Sequence, residues 1–310
     1  MRPERWRLAG LLFGLVLLFA VGWQLLAYRD QLAIDFSRLS WPLLGGALAA
    51  ALAAQACFSV AWRRLLGVAA AVDWRDDAAR WCVSLGGKYV PGKVFHALAR
   101  IGLYRGRIAA SRLAALVVRE LMLGLGAACA WVAVHALLDP RAAFPWWPAA
   151  GAALLLPVAA VLLPSPGLRS LSGHDDAGVA VATPSSRPAA ADAVAAWALQ
   201  AIGYLLIGVS VAALAHAFVP IAPGWLACTA AFCFAGVAGV LALVVPAGIG
   251  VREAALAWYL AAWLGAGPAA LVALAARACL TLAELLAVLF GLWHLRHAAR
   301  PSAPLNDAAG

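Results

Sequence analysis

Two short stretches with proline, glycine and a cation interrupt an otherwise apolar sequence. Residues 84–96 read SLGGKYVPGKVFH, residues 245–253 read VPAGIGVRE, and an apolar run follows each stretch. A cation in the first turn of a helix, beside free backbone N–H groups, suits the binding of an anion such as a phosphate. The residues concerned are Pro91, Gly92 and Lys93 in the first stretch, and Pro246, Gly248, Gly250, Arg252 and Glu253 in the second.

Four further ionisable residues lie inside apolar runs: Arg119, Glu120, Arg277 and Glu284. A charge at the centre of a bilayer costs about 2.5–3.5 kcal/mol on insertion scales, so such side chains usually face water or a partner. Arg119 and Glu120 point about 100° apart on a helix, so each needs a partner on another helix. Arg277 and Glu284 share one face, about 10 Å apart along the axis, which suits a common polar lining. Structural ion pairs that hold helices together are the alternative.

Motifs for enzymatic chemistry are absent from the sequence. We find no Gly-x-Ser-x-Gly, P-loop, dinucleotide fingerprint or His-Glu-x-x-His. The three carboxylates between Asp73 and Asp77 stand alone and are typical of a solvated loop. Four histidines fall near predicted span ends: His135, His216, His294 and His297. The six cysteines form no Cys-x-x-Cys pair and indicate small buried side chains. We therefore predict no enzymatic activity, no catalytic residues, no metal and no cofactor.

The composition places most of the chain in lipid. Of 310 residues, 65% are apolar and 12% are charged, and the mean hydropathy is +0.89. A soluble domain averages about 45–50% apolar and 25% charged residues. This surplus excludes a water-soluble enzyme, a disordered chain and a secreted disulfide scaffold. The net charge of +9 does not indicate nucleic acid, because the main basic stretch, residues 88–112, lies between predicted spans.

The hydropathy pattern predicts an all-α, polytopic membrane protein with seven or eight transmembrane helices. A spanning helix needs roughly 20 mostly apolar residues. A shorter apolar run at residues 251–265 either spans or re-enters the membrane. The seven clear runs are residues 8–28, 41–62, 113–138, 146–163, 193–219, 224–245 and 269–294.

The distribution of cations predicts the orientation. With the N-terminus inside, the internal segments carry seventeen Lys and Arg residues and the external loops only three, Arg29, Arg38 and Arg141. Positive charge is retained on the cytoplasmic side. Both termini are therefore predicted to be cytoplasmic.

The two interruptions divide the chain into comparable halves. Paired broken helices are the best sequence indication of a transporter binding site and are consistent with an internal repeat. A simple bend is the alternative for either break, with Lys93 reaching the interface and Glu253 offsetting the helix dipole. The predicted parts are a cytoplasmic arm (1–7), a first membrane half (8–163) with a re-entrant segment near 84–100, a cytoplasmic linker (164–192), a second half (193–297) broken near 246–253, and a disordered tail (298–310).

The motifs GKYVPGKV (residues 87–94), Arg119-Glu120 and PAGIGVRE (residues 246–253) resemble the membrane region of the lysylphosphatidylglycerol synthase/flippase family. The resemblance covers residues 8–295. It implies a prokaryotic cytoplasmic (inner) membrane protein, like stand-alone members linked to glycolipid, hopanoid or cardiolipin handling. Because the chain ends at Gly310, the family's soluble aminoacyl-transferase domain is expected to be absent, and lysine transfer is not expected.

The resemblance implies that the protein moves an anionic lipid, or a polyprenyl-linked or glycolipid headgroup, between leaflets. The motif positions would form the headgroup pathway, with Arg277 and Glu284 in its lining. A non-transporting partner that presents lipid to a cytoplasmic synthase or glycosyltransferase is the alternative, docking through residues 164–192 and 88–112. An intramembrane enzyme is disfavoured because no nucleophile–base pair is visible. Whether the chain forms a homo-oligomer is left open.

Overall fold

The computed structural model describes residues 40–67, 73–89, 95–105, 107–139, 141, 146–162, 190–219, 222–241 and 250–298. Within these ranges all regular structure is helical, as predicted. The α-helices are α1 (Trp41–Leu66), α2 (Trp74–Ser84), α3 (Phe95–Leu103), α4 (Ala110–Leu138), α5 (Trp146–Leu162), α6 (Ala190–Phe218), α7 (Trp225–Leu241), α8 (Val251–Leu264) and α9 (Ala266–Ala298). A 3₁₀ helix (Leu85–Tyr89) follows α2 directly.

Four of these helices, α1, α4, α6 and α9, are long and apolar enough to cross a membrane. This supports an integral membrane protein. Helices α5 and α7 are apolar but have only 17 residues each, and the predicted span at 8–28 lies outside the described residues. The count of seven or eight spans therefore stays a prediction.

The helices form a bundle with two distinct ends. At one end, the last turns of α1 pack with α2, α3 and the first turns of α4, around buried side chains such as Trp62, Leu65 and Leu113. At the other, the first turns of α1 and α9 pack with the last turns of α6 and with α7 and α8. We call these the hairpin end and the far end. An ion pair between Arg64 and Asp192, 3.9 Å apart, joins α1 to α6 at the hairpin end.

Helix α8 turns sharply into α9 at the far end. Only Gly265 separates the two helices, and its φ of 77° lies in the left-handed region that favours glycine. The two helices then pack against each other. Helix α9 therefore runs antiparallel to α8, and its first half passes beside the residues of the second interruption.

Small residues allow two helices to touch at backbone distance. At Gly208 of α6, a Cβ atom would lie 2.5 Å from Thr229 Cα of α7. Helices in lipid associate through such close packing, because no hydrophobic force drives them together. Gly208 therefore fixes the spacing of α6 and α7.

We expect Gly208→Ala to lower the thermal stability of the detergent-solubilised protein. The added methyl meets backbone, which cannot rotate away, and overpacking of this kind costs about 1–3 kcal/mol. Gly45→Ala on α1 is the control, because nothing lies within 4 Å of a Cβ there. Equal melting of Gly208→Ala and the wild-type protein in a fluorescence-detected unfolding assay would show that α6 and α7 are not in this contact.

Two predicted boundaries change. Helix α6 begins at Ala190, so the last three residues of the predicted linker, 190–192, are helical. The rest of that linker, the arm 1–7 and nearly all of the tail lie outside the described residues; Ala298 itself is the last residue of α9.

Candidate functional site

The first interruption folds into a helical hairpin formed by α2, the 3₁₀ helix and α3. A Cβ at Gly87 would lie 2.8 Å from both the Phe95 carbonyl oxygen and His96 Cα. The 3₁₀ helix and the first turn of α3 are therefore in backbone contact. Helices α2 and α3 are thus two separate helices in contact, and the predicted re-entrant segment stays a prediction. Pro91, Gly92 and Lys93 lie outside the described residues.

Helix α3 carries its apolar side chains outward and its charge inward. Phe95 and Leu98 are 36% and 53% exposed, whereas Arg100 is 1% exposed. A surface helix in water has the opposite arrangement, with its apolar stripe facing the core. The outer face of α3 is therefore suited to lipid.

Arg100 is held at the centre of the hairpin by aromatic and polar groups. Its Cζ lies 4.3 Å from the Trp62 ring centroid and 5.8 Å from that of Trp81. Its guanidinium forms an ion pair with Glu120 of α4, and its Nε donates to Ser84 Oγ at 3.2 Å. Glu120 thus has its partner on another helix, as its position predicts.

Further hydrogen bonds complete the surroundings of this pair. Trp81 Nε1 donates to Glu120 Oε1 at 3.3 Å, and the Gln200 amide donates to the Glu120 carbonyl at 3.3 Å. His96 Nε2 lies 3.1 Å from Arg100 Nη2. Burial and the adjacent guanidinium lower the pKa of His96. Because a guanidinium can only donate, His96 Nε2 accepts this hydrogen bond. Arg119, the neighbour of Glu120, is also buried.

Asp77 belongs to the same buried network. It is 1% exposed, forms an ion pair with Arg63, and accepts a hydrogen bond from Tyr104 Oη at 3.3 Å. Burial raises the pKa of Asp77, and the Arg63 charge opposes that rise. The expected solvated loop at 73–77 is therefore wrong: residues 74–77 form the first turn of α2, and this carboxylate ties the hairpin to α1.

Polar side chains from both interruptions meet on one face of α9. Lys88 Nζ lies 3.2 Å from Glu284 Oε1, and Tyr89 Oη donates to Glu284 Oε2 at 2.8 Å. Two turns earlier on the same face, Arg277 Nε lies 3.6 Å from Glu253 Oε1. We call these residues the α9 strip: Lys88, Tyr89, Glu253, Arg277 and Glu284. Arg277 and Glu284 thus lie on one face of α9, each in its own ion pair, and their common polar lining stays a prediction.

Glu253 also caps the helix that follows the second interruption. Gly250 has a φ of 84°, and its N–H donates to Glu253 Oε2 at 2.7 Å. A glutamate at the third helical position commonly satisfies an unpaired N–H in this way. Pro246 and Gly248 lie outside the described residues. Glu253 therefore starts α8 and joins it to α9.

Arg252 lies on a glycine surface of α7. A Cβ at Gly239 would lie 2.9 Å from Arg252 Cδ. The Arg252 Cζ lies 5.5 Å from the Phe232 ring centroid. In the described part of the chain, no carboxylate lies within ion-pairing distance of Arg252, unlike Lys88, Arg100 and Arg277. The predicted approach of Lys93 to Arg252 stays a prediction, since Lys93 lies outside the described ranges.

The sequence alone does not single out several of these polar residues. It places Arg100 and Lys88 only within a basic stretch and Asp77 in a solvated loop. It predicts an interfacial His135, whereas His135 at the far end is 2% exposed. Among the described residues, no group of three His, Cys, Asp or Glu side chains could hold a metal ion, and all six cysteines are free.

Comparison with known proteins does not identify this chain. No protein-family model matches it, and no curated protein matches it significantly. The family resemblance of the two motifs therefore stays a prediction from those residues.

Proposed function

We propose that the protein is a non-enzymatic, flippase-like membrane protein that moves an anionic lipid headgroup between leaflets. The observation that carries the proposal is the α9 strip, where polar groups from two interrupted segments meet inside an apolar bundle. Broken helices near the bilayer midplane are typical of transporter sites. Charges at this depth are expensive, so ion pairs there favour a binding site over helix packing alone.

The depth of the strip supports this role. Arg277 is the twelfth of 33 residues in α9, so it lies roughly 17 Å from the Gly265 turn at 1.5 Å per residue. With the Gly265 turn taken as one membrane boundary, that distance is close to the middle of a hydrocarbon layer of about 30 Å. Glu284 lies about 10 Å further toward the hairpin end. The strip would thus offer two polar positions along the crossing path.

The charges favour an anionic headgroup. Lys88 has three N–H donors and is 41% exposed, and Glu284 occupies one donor. Arg252 has no carboxylate partner in the described chain, and its guanidinium can bind a phosphate with two parallel hydrogen bonds. A phosphate would therefore bind first at Lys88 and then near Arg252. The acyl tails would stay in lipid against the apolar outer face of α3.

The charge bias supports a location in the prokaryotic cytoplasmic membrane, with both termini and the hairpin end cytoplasmic. Arg64 and Arg296 lie at this end, in the last turns of α1 and α9.

A second candidate is a partner that presents lipid to a cytoplasmic synthase or glycosyltransferase. Exposed arginines at the hairpin end favour it: Arg75, Arg105 and Arg107. Such residues form a basic surface that suits an acidic region of an enzyme. The two functions differ in whether the purified protein moves lipid without help.

Reconstitution distinguishes them. We expect purified protein in liposomes to make a labelled phosphatidylglycerol in the inner leaflet accessible to an external reductant, faster than in protein-free liposomes. A labelled phosphatidylcholine should respond less, because its trimethylammonium group opposes the cationic site. Absence of movement for both lipids, with co-purification of a cytoplasmic lipid-modifying enzyme, would support the second candidate and refute the first.

A further inference from the structure

The outer side of α3 combines apolar side chains with two arginines. Its exposed residues recur at intervals of three or four positions, and such residues share one side of a helix. The Arg105 N–H donates to the Gly102 carbonyl at 3.3 Å, which continues the winding beyond the end of α3. This surface is apolar at its start and cationic at its end. We call it the α3 face, and it consists of Phe95, Leu98, Gly102, Arg105 and Arg107, all of them exposed.

The carboxylates near this end of the bundle are engaged with other cations. Each of them lies in an ion pair with an arginine of α1, α2 or α3: Asp76, Asp77, Glu120 and Asp192. In the part of the chain that the structure describes, none of them pairs with Arg105 or Arg107. The cationic end of the α3 face therefore has a positive charge that these carboxylates do not neutralise.

The two ends of the α3 face lie at different depths. Helix α4 is long enough to cross a membrane and begins at Ala110, so with α4 as a span the turn that carries Arg105 and Arg107 lies at the membrane boundary. The start of α3 instead touches the 3₁₀ helix at Gly87, the neighbour of Lys88. The nine residues of α3 cover roughly 13 Å. The α3 face thus leads from the headgroup level toward the α9 strip.

A phospholipid of the adjoining leaflet fits this arrangement. A guanidinium binds a phosphate with two parallel hydrogen bonds, and arginines at the membrane surface attract anionic headgroups. Below them, Phe95 and Leu98 offer an apolar surface for an acyl chain. Gly102 leaves room between Leu98 and the arginines, because nothing lies within 4 Å of a Cβ there. An acidic protein surface would match the arginines but not the apolar residues beside them.

We infer that the α3 face is a lipid-entry site, which captures an anionic phospholipid from the leaflet at the hairpin end. Arg105 and Arg107 hold the phosphate, and an acyl chain lies along Leu98 and Phe95. The headgroup then passes toward Lys88. Binding of the lipid depends on the α3 face alone, whereas its role in entry rests on the proposed lipid movement.

Lipid-dependent stabilisation tests the site without transport. We expect dioleoyl phosphatidylglycerol, added to detergent-solubilised protein, to raise the melting temperature more than dioleoyl phosphatidylcholine does. In Arg105→Gln combined with Arg107→Gln, the half-saturating concentration of phosphatidylglycerol should rise on the order of tenfold, since each cation near a lipid surface contributes about a factor of five. Without added lipid this variant should melt like the wild type, because both side chains are exposed. Leu98→Gln should also weaken the response, because it removes an apolar contact with the acyl chain.

A matched pair of substitutions separates this site from general charge attraction. Arg75→Gln combined with Arg296→Gln removes the same charge from two other exposed arginines at the hairpin end and should respond like the wild type. Equal weakening in the two double variants would overturn the site, and so would a wild-type response after loss of Arg105 and Arg107. An unaltered response in Leu98→Gln would also overturn it and would assign the arginines to an acidic protein partner.

Liposomes with different fractions of phosphatidylglycerol test the entry role separately. The variant without Arg105 and Arg107 should need a several-fold higher fraction for half-maximal movement, with a maximal rate close to that of the wild type, because capture precedes the steps at the α9 strip. A lower maximal rate at an unchanged half-maximal fraction would refute entry at the α3 face. If the wild-type protein moves no lipid, the proposed function fails, and the melting experiment still decides whether the α3 face binds lipid.

Discussion

Arg100→Met is expected to detach the hairpin from the bundle. Methionine keeps much of the volume but removes the only described ion-pair partner of Glu120 and the cation over the Trp62 ring. Breaking a buried pair by removing one member costs about 3–5 kcal/mol, because the remaining charge stays buried and unpaired. The Glu120 side chain is 17% exposed, so the lower part of that range applies. This is a large fraction of the stability of an ordinary domain.

Thermal unfolding in detergent measures this loss, and Cys82 reports where it occurs. Cys82 packs on α9, where a Cβ at Gly291 would lie 3.1 Å from its Cβ. Its burial raises the pKa of the thiol to about 11. Detachment should therefore both lower the melting temperature and increase maleimide labelling of Cys82, in a protein whose other cysteines are replaced by serine.

Two further variants separate charge from volume. Arg105→Met changes an exposed arginine close to α3 and should melt like the wild type. Arg100→Met combined with Glu120→Leu should recover much of the stability, because buried ion pairs can often be replaced by apolar pairs without loss. If Arg100→Met alone melts like Arg105→Met, the buried pair does not hold the hairpin.

Arg252→Ala is expected to slow headgroup movement strongly while leaving the fold intact. In the described chain the Arg252 guanidinium has no carboxylate partner. Its removal therefore does not leave a buried carboxylate unpaired among the described residues. Loss of one charge-assisted contact of about 1.5–3 kcal/mol would reduce transport at least roughly tenfold, since 1.4 kcal/mol corresponds to a factor of ten. The rate of phosphatidylglycerol movement in liposomes measures this effect.

The chain offers matched controls for this experiment. Arg75→Ala removes an exposed arginine beside Trp74 and should transport normally. Arg252→Lys keeps the charge but not the planar fork and should retain part of the activity. Gly239→Leu keeps Arg252 but fills the space its side chain occupies, and should reduce transport as Arg252→Ala does. Normal transport by a folded Arg252→Ala protein would remove Arg252 from the pathway.

The positions of the long helices could be predicted from the sequence because a chain in lipid must satisfy its backbone hydrogen bonds internally. An apolar run of sufficient length has few alternatives to a helix in a membrane. The predicted runs 113–138 and 269–294 accordingly lie within α4 and α9, and each helix begins three residues before its run. The linker boundary was displaced because Ala190, Ala191 and Asp192 extend a helix as readily as they form a polar loop.

The sequence also determined which charged groups need partners, but not which partners they have. Glu120 had to find a cation because an unpaired charge in an apolar run is costly. Nothing local distinguishes Arg100, which is buried, from Arg105, which is exposed, because both occur in one basic stretch. Their difference depends on the folding of α3 against Trp62 and Trp81.

By itself, then, the sequence determined the helical class, the membrane environment, the two interruptions and the polar face of α9, since these depend on local composition and helical periodicity. Only the tertiary structure decided that Lys88 pairs with Glu284 across 196 positions, that Arg252 lies on α7 without a carboxylate in the described chain, and that His135 meets Tyr259. Those contacts arise from helix packing between segments that are distant in the sequence. Burial of a charge costs desolvation energy and an ion pair offsets that cost, and both depend on which helices are neighbours in the assembled bundle.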